Sequence, residues 1–124
     1  MIILCQMMDT PSEFASAGFL HLLADVGPAT ACELVHSLSA DLAAVERGLS
    51  NGFATTDWQA LDSHSHALIA LAGLVGAQAA QTAAMALNTV ARQHDRAALA
   101  TLRPQVLALL GGLIGLVARL DQTP

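Results

Sequence analysis

The chain has 124 residues, 54% of them apolar and only 12% charged, with a formal net charge of −5. That size and composition exclude a disordered chain and allow one domain with a core of its own. The five bases are all Arg and there is no Lys, so a P-loop, a kinase-type ATP lysine and a Schiff-base lysine are excluded, and five scattered Arg form no stripe for nucleic acid.

Aromatic residues make up 3%, and Ala and Leu dominate, which favours helix over sheet. Residues 1–9 read as an N-terminal extension and 10–124 as one helical domain. Thr10-Pro11-Ser12-Glu13 predicts a helix start, with Thr10 as N-cap and Glu13 as its capping-box partner. That first helix stops at Gly27-Pro28. A second begins near Pro28, with apolar positions Ala31, Leu34, Val35, Leu38, Leu42, Val45 and Leu49, a 3-4 spacing that defines one buried stripe. Ser50-Asn51-Gly52 is expected to end it.

Thr56-Asp57-Trp58-Gln59 predicts a capping box for a third helix running to about Gly73, with a turn at Gly76. An Ala-rich fourth helix follows from about Ala77 to Gln93. Asp95 is placed to cap a fifth helix to about Leu120, kinked at Pro104. Four long helices joined by short loops predict an all-α, antiparallel up-down-up-down four-helix bundle with a short additional N-terminal helix. Gly111-x-x-x-Gly115 permits close helix packing, and its simplest use is inside that bundle.

Cys5 and Cys32 form no C-x-x-C pair, and both are expected to be reduced, packed thiols. The segment Met1–Met8 is apolar but lacks the basic region of a secretory signal. The apolar runs Ala67–Ala77 and Val106–Ala118 fall short of a bilayer span, so a cytoplasmic location is expected.

Five histidines are the candidate chemistry: His21, His36, His64, His66 and His94. His64 and His66 are two apart, roughly 200° around a helix, and cannot hold one ion together. The other three lack carboxylate partners at ligand spacing, so no metal site is expected. On a wheel of the third helix, Leu61, His64, Leu68, Leu71, Ala72 and Val75 share the core side, and His66 falls almost opposite. It lies with Gln59, Asp62, Ala70 and Gly73, and Ile69 is beside it. A solvated helix face would carry Lys, Glu or Arg there. A reactive imidazole on a smooth, apolar patch suits a docking partner.

The stretch Asp57-Trp58-Gln59-Ala60-Leu61-Asp62-Ser63-His64-Ser65-His66-Ala67-Leu68 resembles the phosphoacceptor helix of histidine-containing phosphotransfer (HPt) domains. In that family an Asp-Trp-like start precedes the phosphorylated His by nine residues, and a Gly-Ala or Gly-Leu pair follows it at ten and eleven. Gly76-Ala77 stands at that distance from His66, whereas the same count from His64 falls on Leu74. The run Phe19 to Pro28 followed by Glu33-Leu34-Val35 is similar to the family's N-terminal helix, break and second helix. Asn88 falls where the family usually carries Gln or Glu, and His66 and Asn88 are equally far from Ala77, which brings them level across a hairpin. Arg92 matches a position that is often basic. The sequence departs from the pattern at Ile69, where the family has Lys, and at Ala70, where it has Gly.

The resemblance implies a phosphorelay carrier. His66 would accept a phosphoryl group from the aspartate of a response-regulator receiver domain, with a hybrid histidine kinase behind it, and pass the group to a second receiver. Asn88 would hydrogen-bond the ring or the phosphoryl oxygens, and Arg92 would support the charge. Asp62, Ile69, Ala70 and Gly73 would form the docking face. No cofactor is implied for this chain, since Mg²⁺ would come with the receiver, and no autonomous kinase activity is expected. The competing expectations are a docking module that accepts no phosphate, and a helical self-association module.

Overall fold

The computed structural model describes residues 16–121. Among them every regular element is a helix: α1 (Ala17–Val26), α2 (Pro28–Thr55), α3 (Trp58–Val75), α4 (Gln78–Gln93) and α5 (Arg96–Asp121). The predicted start at Thr10 lies outside the described residues. α1 has its own N-terminus at Ser16, whose Oγ accepts from the Phe19 N–H at 3.1 Å. A single helix from Thr10 to Val26 is therefore corrected, because Ser16 is extended and capping. Gly27 separates α1 from α2, and Pro28 occupies the first turn of α2, where a missing N–H costs nothing.

α2 does not end at Ser50-Asn51-Gly52 but continues to Thr55. Gly52 and Phe53 extend the buried stripe of Val35, Leu38, Leu42, Val45 and Leu49 by a further turn, and that burial outweighs the poor helix propensity of Asn and Gly. Thr56 then adopts the left-handed conformation that closes α2, so Asp57 alone caps α3, its Oδ1 accepting from the Ala60 N–H. α3 reaches Val75, one half-turn beyond Gly73. Gly76 (φ +82°) ends it, and a side chain there would also overlap Ser16. The Ser16 N–H donates to the Val75 carbonyl at 3.0 Å, tying the start of α1 to this turn. Asp95 caps α5 as expected, through the Ala98 N–H. α5 continues through Pro104; the Ala100 carbonyl freed there is on an exposed residue, where water can satisfy it.

α3 and α4 make the most extensive contact, and α2 packs on α3, α4 on α5, and α5 back on α2. The four long helices thus form a closed circuit around one core. Leu42, Leu49, Leu61, Leu68, Leu87, Leu110, Leu113 and Leu116 are fully buried in it, each contributing on the order of 1.5–3 kcal/mol. α1 adds Phe19, 2% exposed. α5, at 26 residues, is long and apolar enough to cross a bilayer by length and composition, which counting the uninterrupted run alone did not reveal. Here Leu99, Val106, Leu110, Leu113, Leu116 and Val117 are buried against the other helices. Gly111 is exposed and faces no neighbour, so it does not ease packing inside the domain as the sequence suggested. Cys32 is likewise exposed rather than packed; Cys5 lies outside the described residues.

Candidate functional site

α3 presents two different histidines on its two sides. His64 is half-buried against α2, where its ring lies over Gly48 so closely that a Cβ at Gly48 would overlap it. It borders a depression of about 390 Å³ with Asp41, Ala44, Val45, Ala67, Ala70 and Leu71. His66 is exposed on the outward line of the helix, and its ring makes no hydrogen bond or ion pair with the described residues. The core stripe beneath it, Leu61, Ser65, Leu68, Ala72 and Val75, is buried.

The packing of His64 on Gly48 gives a first prediction. An exposed helical Gly→Ala change ordinarily stabilises by up to ~1 kcal/mol. Gly48→Ala is expected to forfeit that gain, because the His64 ring must leave its seat, and to recover it in a His64→Ala background. A double-mutant cycle on the denaturation midpoint checks this, and additive effects would show that the two residues do not touch.

Three side chains of α4 reach toward α3. The Asn88 amide donates to the Asp62 carbonyl oxygen (3.1 Å), to Asp62 Oδ1 (2.6 Å) and to Ser65 Oγ (3.0 Å). Ser65 is the one buried polar side chain among the described residues; its hydroxyl donates to the Asp62 carbonyl and accepts from Asn88. A buried hydroxyl needs such partners. Asn88 is therefore anchored one turn before His66, and the His66 ring is not among its partners. Arg92 Nε lies 3.8 Å from Asp62 Oδ1, so Asp62, Asn88 and Arg92 form one polar group. Further along, Gln81 Nε2 donates to the Ile69 carbonyl at 3.3 Å and lies close over Gly73.

These bonds bracket His66. Asn88 pairs with Asp62 and Ser65, and Gln81 pairs with Ile69, so Met85, between them on α4, is level with His66. Met85 is 54% exposed, the most exposed large apolar side chain among the described residues. Of the predicted docking residues, Ala70 and Gly73 are exposed and Asp62 is half-exposed. Ile69 is different: it is half-buried and packs against the core, because it turns toward α4 rather than outward.

Sequence reasoning did not find Met85, Gln81 or the Trp58–His94 pair. The last two rings stack nearly parallel, 5.0 Å between centroids, where the end of α4 meets the start of α3. With Gln59, Asp62, Ala91 and Arg92 they line a shallow depression of about 420 Å³. The only available signal was the antiparallel register, and counting outward from Ala77 placed Asn88 level with His66. The packed helices are shifted by about three residues, nearly one turn, which sets Asn88 at Asp62 and Ser65 and leaves Met85 at the level of His66. The expectation that His21 and His36 have no carboxylate partner is corrected. Asp25 stands four residues on from His21 in the same helix, 3.9 Å away, and Asp121 of α5 lies 3.6 Å from His36, a pairing that only the packing of α5 on α2 brings about. Among the described residues no group of three or more His, Cys, Asp or Glu is placed to hold a metal ion.

No family model, curated protein or solved structure matches the chain.

Proposed function

We propose that this chain is a phosphorelay carrier that accepts a phosphoryl group on His66 from the aspartate of a receiver domain and passes it to another receiver. In this reading the closed circuit of α2 to α5 is an antiparallel up-down-up-down four-helix bundle of the HPt type, with α1 as the short additional helix, and the protein works in the cytoplasm. The observation that carries it is the exposed, unengaged imidazole of His66, with Ala70 and Gly73 following it on α3, Met85 at its level on α4, and Arg92 held at Asp62 one turn before it. Small neighbours let a second protein bring its reacting atom to the ring, and apolar ones supply area to bury.

In the transfer, the lone pair of His66 Nε2 forms a bond to phosphorus in line with the departing oxygen. The acyl-phosphate P–O bond breaks, and its electron pair stays on the receiver's aspartate as a carboxylate. The ring proton remains on Nδ1. Little covalent work falls to this chain beyond presenting a neutral imidazole, and positioning supplies most of the rate. Mg²⁺ belongs to the receiver in this scheme. The direct test mixes the protein with receivers carrying labelled aspartyl phosphate. Acid-labile, base-stable label on this chain is the expected result, and its absence with every receiver tried would refute the carrier reading.

Ile69 favours a second reading, a docking module of the same shape that accepts no phosphate, because the family's Lys would stand there. Ile69→Lys separates the two contributions of that position. A Lys stem covers the same apolar surface while its ammonium reaches water. Phosphohistidine lifetime without partner is expected to rise no more than severalfold, less at high salt, since an exposed pair contributes ~1 kcal/mol or less. Receiver affinity, measured by titration calorimetry, is expected to stay within about 0.5 kcal/mol, because Ile69 packs on the core rather than outward and the Lys stem keeps that contact.

A further inference from the structure

We infer that Asp62 is a charge-opposing positioning residue for His66: it holds Arg92 and Asn88 in the free protein, and it disfavours a dianionic phosphoryl group on the ring, so that the site hands its phosphoryl group on rather than storing it. The inference rests on the carrier reading of His66.

Asp62 and His66 are one turn apart on the same helix face, a spacing that puts their Cβ atoms about 5–6 Å apart. The carboxylate is 42% exposed and has two polar partners from α4, the Asn88 amide at 2.6 Å and the Arg92 guanidinium at 3.8 Å. Asn88 is in turn fixed by Ser65 and the Asp62 carbonyl, so Asp62 is held in place from both sides of its oxygen. Arg92 is the cation that this arrangement brings to the α3–α4 face; Ile69 supplies none. In the free protein Arg92 is turned toward Asp62, one turn short of His66. A phosphoryl group on Nε2 therefore adds negative charge one helical turn from a carboxylate, and the guanidinium that would offset that charge is already paired with this carboxylate. Both effects have the same sign. They raise the free energy of the phosphorylated chain and leave the empty chain untouched, which tilts the exchange toward the receiver.

For partly exposed charges one turn apart the expected effect is about threefold in the phosphorylated chain's equilibrium, declining as salt screens it. A threefold change also shifts the second ionisation of the phosphoryl group by about 0.5 pH unit, which can be read without any partner. The experiment loads the full chain with phosphoramidate, where Nε2 displaces ammonia from phosphorus, and follows the phosphorus-31 signal against pH. The proteins compared are the unsubstituted chain, Asp62→Asn, Arg92→Gln and the double variant, at low and high salt.

Asp62→Asn keeps the size of the side chain and a carbonyl oxygen for Asn88. It is expected to lower the phosphoryl midpoint by about 0.5 unit at low salt and by less at high salt. Arg92→Gln is expected to raise it, and Asp62→Asn in that background is expected to lower it again. A merely structural role for Asp62 would move none of these midpoints. If His66 carries phosphate but Asp62→Asn leaves the midpoint and its salt dependence unchanged, or raises it, the inference is overturned and the carrier reading stands. If phosphoramidate places no phosphate on His66, both are overturned. Should Asp62→Asn fail to fold, Arg92→Gln decides from the other side: an unchanged midpoint overturns the inference.

Discussion

His66→Gln is expected to abolish phosphoryl uptake completely while leaving the helical signal and the denaturation midpoint within about 0.5 kcal/mol of the unsubstituted protein. The reason is geometric. His66 is exposed and its ring bonds to none of the described residues, so its loss removes a nucleophile and no packing. Gln preserves a polar, helix-compatible side chain at the position. Transfer of label from a phosphorylated receiver and a urea titration on the same preparation check both halves. Retained labelling would place the acceptor elsewhere, and unfolding would mean that the ring holds the domain together.

Two residues along the same helix the balance is reversed. Leu68 is 1% exposed, on the stripe that faces the core with Leu61, Ala72 and Val75. Leu68→Ala removes most of a buried side chain from between packed helices and leaves a cavity that the neighbours fill only in part. The expected loss is about 2–5 kcal/mol, seen as a lower urea midpoint at unchanged slope. The molecules that remain folded are expected to take label at His66 as before. A loss below ~1 kcal/mol would mean that α3 does not bury this face. The two substitutions separate the chemistry of α3 from its packing, although they stand only two residues apart on opposite sides of the helix.

The division between those faces was legible in the sequence because helical periodicity is a local property. Leu61, His64, Leu68, Ala72 and Val75 recur at three and four residues, and any helix through them puts His66 outside. Asp57, Gly76 and Asp95 marked helix ends for the same reason: a carboxylate that accepts from the first turn, or a residue free to turn left-handed, acts on its immediate neighbours. The end of α2 was misread where local preference and packing disagreed. Asn51 and Gly52 suggest a stop, but Phe53 is 5% exposed and its burial carries the helix on to Thr55.

By itself, then, the sequence determined the helices, which stripe of each is buried, and that an imidazole at 66 stands outside the core. Only the tertiary structure decided what surrounds that imidazole. The register of α4 on α3 depends on how Ala80, Ala83, Ala84 and Leu87 fit against the opposing helix, and a shift of one turn would exchange every cross-helix partner. The packed register seats Asn88 on Ser65, turns Arg92 to Asp62, and leaves Met85 level with His66. Likewise, nothing local distinguishes Ile69, half-buried toward α4, from Ala70, which is exposed. The Asn88–Ser65 and Arg92–Asp62 contacts join residues more than twenty positions apart. They form because one buried hydroxyl and a row of small side chains admit few ways of packing.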